Sequence, residues 1–274
     1  MGKIHCSVPI LTLNRGLELE RCLTSIKDFS DIVIVDGNSK DNTLEVAKKN
    51  GARIYFQDES VKTSVQITDF TVARKMAWNY TKEDWVLNLD SNEWVDQDLV
   101  DEIRLAIEEN NPQKIYFARR MNVIDGKVIQ HAFYYPKYFI RLVNKKSGAH
   151  WREGKKVHER LDFPVDTKIV YTRGIVYKKT LHSGAEDEKK VRYYLDLEFQ
   201  RMQGGTKTWY QFFYWVWYFN IRNLISILVK SIWVYMRYGF KNSLPPVEVW
   251  GYMRYHLLLI WGGSKIILKY KFSL

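Results

Sequence analysis

Asp90, Asn92 and Glu93 set three oxygen-bearing side chains within four residues, directly after the apolar run Trp85–Leu89. Oxygen donors this close together suit a hard divalent cation, Mg²⁺ or Mn²⁺, and a cation so held binds a diphosphate in turn. The same residues also read as a solvated turn capping the next helix, a common use of acid and amide side chains. Two further ionisable spots accompany them. Asp36 ends the apolar run Ile32–Val35, and the polar loop Trp151–Leu161 carries Arg152, Lys155, His158 and Glu159.

These residues need a scaffold, and the hydrophobic pattern supplies one. Apolar runs at Ile4–Thr12, Asp31–Asp36, Ala52–Phe56 and Trp85–Leu89 read as buried strands. Between them lie helical patterns: Leu19, Cys22, Leu23 and Ile26; a short helix capped by Ser39 or Asp41 and closed by Gly51; and Asp69–Tyr80. A further helix, marked by Leu99, Ile103, Ala106 and Ile107, runs toward Pro112. Strands alternating with single helices predict an α/β fold, a Rossmann-like, mostly parallel sheet with helices on both faces. Open sheets of this kind bind ligands at the carboxyl ends of their strands, where Asp36 and Asp90 fall.

Past residue 113 the pattern changes. Lys114–Arg120 and Lys127–Gln130 flank an Asp125-Gly126 hairpin signal. Strands are expected at Lys137–Val143 and Lys168–Tyr177, and a helix over Asp187–Met202. The chain therefore reads as residues 1–112 and 113–203, two halves of one α/β domain, followed by a helical tail, 204–274.

That tail carries most of the charge imbalance. From residue 200 onward ten Lys or Arg face one acid, Glu248, accounting for nine of the eleven net positive charges; six of the ten tryptophans lie there too. Its longest uncharged run, Thr208–Ile221, falls short of the roughly 18–20 residues of a spanning helix. On a helical projection Arg222, Asn223, Ser226, Lys230 and Arg237 share a narrow stripe, while Leu224, Ile225, Ile227, Leu228, Ile232 and Tyr235 face elsewhere. Pro245-Pro246 breaks the helix before a second basic segment, Val249–Leu268. The expected partner is an anionic membrane surface, with the helices lying in its interface. Nucleic acid is not expected, because no RNA-binding signature accompanies the cations. Cys6 and Cys22 read as small core residues in a reducing compartment. The N-terminus runs straight into a strand without a secretion signal, and no sequence feature fixes an oligomeric state.

Taken together, Thr12-Leu13-Asn14-Arg15, Val35-Asp36-Gly37-Asn38-Ser39, Ala73-Arg74-Lys75, Leu89-Asp90-Ser91-Asn92-Glu93, Val157-His158-Glu159-Arg160-Leu161 and Leu181-His182 resemble the nucleotide-sugar-dependent glycosyltransferases of family 2, which have a GT-A fold. Within that family the chain is most similar to the lipopolysaccharide core β-1,4-glucosyltransferase group. The resemblance implies that Asp36 contacts the nucleotide base, with Thr12 and Asn14 packed beside it. Arg74 would face the diphosphate, and Asp90 the ribose or metal. Asn92, Glu93 and His182 would complete a metal set, Glu159 would be the general base, and Arg152, Lys155 and His158 would line the acceptor side. Two departures stand out. Asn92 occupies the position of an acid in the family's Asp-x-Asp triplet, which weakens the expected hold on Mg²⁺ or Mn²⁺, and Arg15 stands where relatives often have Glu.

The expectation is therefore an inverting transferase moving a sugar, glucose from UDP-glucose in the first instance, onto a lipid-linked or lipopolysaccharide-type glycan. It would sit in the cytoplasm, peripheral on the inner face of the cell membrane. Its rivals are a polyprenyl-phosphate sugar synthase and a catalytically impaired GT-A scaffold.

Overall fold

The computed structural model describes residues 2–58, 60, 63–64, 69–152, 160–180, 185–203, 210 and 213–271. They form two compact units. The first comprises residues 1–122 and 136–179, the second 123–135 and 180–274.

The first unit is built on a mixed sheet. Strands β1 (Ile4–Thr12), β2 (Phe29–Asp36), β3 (Arg53–Phe56) and β4 (Trp85–Leu87) run parallel in the order β3-β2-β1-β4. Beyond β4 the sheet turns antiparallel: β8 (Tyr138–Asn144) pairs with β4 and with β6 (Lys114–Ile124), and β11 (Lys168–Lys179) pairs with the short β5 (Glu93–Val95). β9 (His150–Trp151) and β10 (Leu161–Asp162) make a separate two-stranded ribbon.

Helices cover both faces of the parallel strands, which is why those strands lack a polar side. Ile32 and Ile34 of β2 share one core with Leu19 and Leu23 of α1 (Gly16–Ser25) and Leu99 and Ile103 of α4 (Gln97–Glu109). Val33 and Val35, the alternate residues, pack with Ala73 and Ala77 of α3 (Phe70–Asn79). Cys6 and Cys22 are free thiols within the larger core.

Two local features hold the antiparallel half in place. Asp96 caps α4 by accepting from the Leu99 amide at 3.0 Å, and the same oxygen accepts from the Ile175 amide of β11, also at 3.0 Å. Gly174 lies so close to the backbone of Leu99 that any Cβ would collide with it. Helix α4 and strand β11 are thus joined at Asp96 and Gly174, and again where Glu102 accepts from the Arg173 amide at 3.0 and 3.1 Å.

The second unit contains the β6–β7 hairpin tip, with β7 at Lys127–Val128, and the C-terminal helices α5 (Ala185–Gln203), α6 (Phe219–Tyr238) and α7 (Pro246–Lys271). A π-helical turn, Tyr214–Tyr218, precedes α6; the buried Asn220 amide donates to the Trp215 and Val216 carbonyls there, and its oxygen meets His256 Nδ1 at 2.8 Å. Ile227, Leu244 and Val249 pack with Ile124 and Ile129 in the core of this unit. Most of the remaining apolar surface of α6 is open: Ile225, Leu228, Val229, Ile232, Trp233 and Met236 are all exposed. None of the described helices is long and apolar enough to cross a membrane.

Candidate active site

The ends of β1 and β2 are stitched together by side chains reaching into each other's loops. Asp36 is fully buried, and its two oxygens accept from the Ser39 amide at 2.7 Å and the Ser39 hydroxyl at 2.6 Å. The Ser39 oxygen accepts in turn from the Asn14 amide at 2.8 Å, and Asn14 Oδ1 accepts from the Lys40 amide at 2.7 Å. Asn14 and Asn38 both adopt left-handed backbone, φ 51° and 62°, which Asn tolerates better than bulkier residues. Gly16 opens α1 where a Cβ would strike the Asn42 side chain. Thr12 pairs with Asp36 in the β1–β2 register, and its hydroxyl is buried with no hydrogen-bond partner among the described residues. Ser39 and Asp41 were the expected caps of the following helix, α2 (Thr43–Lys49). Asp41 accepts from the first helical amide, Thr43, at 3.0 Å, whereas Ser39 is committed to Asp36; Asn42 holds the N-cap position without a side-chain bond to the helix.

The end of β4 is a charged assembly. Arg74, buried on α3, donates to the Leu89 carbonyl at 3.2 Å and pairs with Asp90 through its other nitrogen. The second Asp90 oxygen accepts from Lys178 Nζ of β11 at 3.2 Å. Burial acts to raise the Asp90 pKa, but Lys178, Arg74 and Arg141 outweigh it and hold this carboxyl far below the usual carboxylate range. Its side chain is 37% exposed, so the group remains open to a ligand.

Glu93 faces the opposite way, into the protein. Its side chain is 0% exposed and forks onto Arg141 of β8 at 2.7 and 2.9 Å, with Arg120 at 3.7 Å and the Asp90 amide donating at 3.1 Å. Asn92 uses its amide to donate to the Lys179 carbonyl at 3.2 Å, while its own carbonyl accepts from the Lys179 amide at 3.0 Å. Of the expected metal donors among the described residues, then, Glu93 is closed off, Asn92 is half-buried and offers only a neutral oxygen, and Asp90 is open but already balanced by two cations. No group of three His, Cys, Asp or Glu suited to a metal occurs among the described residues. These side chains fit a divalent cation poorly: one carboxylate is ion-paired with two cations, one is buried on an arginine, and the third donor is a neutral amide whose NH₂ group clamps a strand.

On the expected acceptor side, Arg152 forks onto Asp162 at 2.7 and 2.8 Å, across the β9–β10 ribbon. Lys155, His158, Glu159 and His182 lie outside the described residues. The structure thus groups Thr12, Asn14 and Asp36 at one strand end and Arg74 with Asp90 at another, with Arg152 held in its own ion pair.

Three members of the charged assembly escaped the sequence reading: Arg120, Arg141 and Lys178. Arg141 left a usable signal. A lone cation inside Phe139-Ile140-Arg141-Leu142-Val143 must find a buried acid, and Glu93, opening an apolar strand, is its counterpart.

Comparisons with known proteins identify the family. The model of "Glycosyl transferase family 2" matches residues 7–158. An uncharacterized glycosyltransferase of Rickettsia typhi is 28% identical over 191 residues, covering 66% of this chain and 61% of the relative. One from Rickettsia prowazekii is 27% identical over 194 residues with the same coverage, so the match spans about three fifths of these relatives. The glycosyltransferase SunS of Bacillus subtilis is 29% identical over 84 residues, 30% of this chain and 19% of SunS. Among solved structures, Staphylococcus aureus TarS 1-349 with UDP-GlcNAc superimposes at a TM-score of 0.47 and 15% identity, covering 67% of this chain and 60% of that one. With more than half of its length matched by the family model, and a parallel β-α-β half that ends in the expected acidic strand ends, this chain belongs to glycosyl transferase family 2.

Proposed function

We propose that the chain is an inverting glycosyltransferase that moves a sugar from a UDP-sugar, glucose in the first instance, to a lipid-linked or lipopolysaccharide-type glycan. The observation that carries the reading is the pair of neighbouring strand ends. One is a rigid, left-handed loop pair around Asp36; the other is a carboxylate held open among cations at Asp90. The first suits a base and ribose, the second the diphosphate. In this reading Glu159 accepts the proton of the acceptor hydroxyl as that oxygen attacks the anomeric carbon. The bond from that carbon to the diphosphate breaks on the opposite face, and the departing oxygen needs only stabilisation of its charge.

We further infer action at an anionic membrane, on its inner face, for which the second unit offers a surface. Trp233, Trp250 and Trp261 are exposed together with the aliphatic residues of α6, and Arg222, Lys230, Arg237 and Arg254 accompany them. Aromatic and aliphatic side chains interleaved with cations suit insertion at the level of the headgroups. Docking there would concentrate the enzyme beside an amphiphilic acceptor.

The test is a thermal-shift panel of UDP, GDP, CMP and dTDP, followed by UDP release with lipid-linked glycan in anionic vesicles. UDP-selective stabilisation, turnover on vesicles, and a loss of about 10²–10⁴ in kcat for Glu159→Gln with UDP binding retained are expected. Indifference to every nucleotide would overturn the enzyme reading. Nucleotide binding without turnover would favour the impaired scaffold that Asn92 brings to mind.

A further inference from the structure

The charge balance at the end of β4 carries a consequence for how the donor is held. Asp90 and Glu93 supply two negative charges, and Arg74, Arg120, Arg141 and Lys178 supply four positive ones within 4 Å of them. Such a field opposes a divalent cation and attracts a diphosphate. On the reading that the chain binds a nucleoside diphosphate donor, we propose that the Lys178 ammonium, aligned with Arg74 by Asp90, replaces the divalent metal in binding and stabilising the diphosphate.

The local structure supports this in three ways. Successive residues of a strand point to opposite faces. Lys178 accordingly reaches Asp90 while Lys179 reaches Glu18 at 2.9 Å, so the two lysines are not interchangeable. The Lys178 side chain is 27% exposed, accessible to a ligand yet mounted on a strand that pairs with β5 at Glu93. Lys137 senses the same field: burial, then Arg120 and Lys178, lower its pKa.

Asn92 finds its place in this arrangement. Its NH₂ group donates to the Lys179 carbonyl and fastens the strand that carries Lys178; a carboxylate has no proton to donate there. The residue that weakens a metal site strengthens an ammonium site. Asp90 then acts as a positioning residue, holding two cations at a fixed spacing. In the transfer step the acceptor oxygen bonds the anomeric carbon as the electron pair of the broken anomeric C–O bond passes to the diphosphate oxygen, which the ammonium stabilises, and the acceptor proton goes to Glu159, the base of the proposed reading.

Titration calorimetry with UDP and with GDP, each in EDTA and in Mn²⁺, tests the assignment. The native chain should bind its preferred nucleotide with affinities within about twofold in the two buffers. Lys178→Gln should weaken binding at least about tenfold in both, and Lys178→Arg should recover most of it. Lys179→Gln, which removes the neighbouring ammonium from Glu18, should leave the affinity unchanged; matching unfolding curves would show that the variants fold. Binding that requires Mn²⁺, or that survives Lys178→Gln, would overturn the assignment while leaving the nucleotide reading intact. Failure of the native chain to bind either nucleotide in either buffer would overturn both.

Discussion

Asp36 and Asp90 end neighbouring parts of one parallel sheet, yet they are settled in opposite ways. Asp36 is enclosed by its own loop, its oxygens satisfied by the amide and hydroxyl of Ser39, three residues away. Asp90 is satisfied by cations from distant elements, Arg74 on α3 and Lys178 on β11. A carboxylate closed by neutral donors fixes backbone shape. A carboxylate shared by cations from distant elements fixes a field, and the field is what a charged ligand meets. The same residue type at the same topological position thus serves geometry at one strand end and electrostatics at the other.

The contrast breaks most readily at its support. Arg141→Met would leave Glu93, fully buried, with only the Asp90 amide at 3.1 Å and Arg120 at 3.7 Å, and is expected to cost about 3–5 kcal/mol in denaturant unfolding. Asp36→Ala should cost about 1–3 kcal/mol by orphaning the Ser39 amide and hydroxyl. Asp90→Asn is expected to be milder at neutral pH, about 1–2 kcal/mol, because solvent screens the half-open carboxylate. Its pH dependence has a definite sign. The folded pKa is depressed, so the carboxylate's contribution is complete above its unfolded value, about 4, and fades as pH falls below that. Thermal unfolding of native and variant chains should therefore converge on acidification. Asn92→Asp sharpens the comparison with the smallest effect. It should lower stability by about 1 kcal/mol through the lost bond to Lys179, and calorimetry should find no new response to Mn²⁺.

The parallel half was legible because its signals are local. Buried strands covered on both faces show as unbroken apolar runs, and β1, β2 and β3 lie where those runs predicted. The helix expected over Asp69–Tyr80 is Phe70–Asn79, with Asp69 as its cap. The strand expected to run to Leu89 stops at Leu87, one residue short of a last bond from the Asn88 amide to the Arg141 carbonyl of β8, before the chain turns toward Glu93. That turn was not legible. Glu93 lies next to Asp90 in sequence and was grouped with it, but a buried arginine 48 residues away decides where its carboxylate goes. The charges at a strand end are visible in the sequence; their partners come from strands that cross back from afar.

Asp96 gives the charged site a mechanical character. One oxygen of this side chain grips both the start of α4 and the backbone of β11 at Ile175, three residues before Lys178. Strand and helix therefore behave as a single lever, with Lys178 near its tip and the capping carboxylate as the fulcrum. An ammonium on such a mount loses little freedom when it meets an anion, because its ion pair with Asp90 already places it. Loosening the fulcrum would let the tip wander, and an ångström of wander at a reacting centre is enough to slow a reaction about a hundredfold.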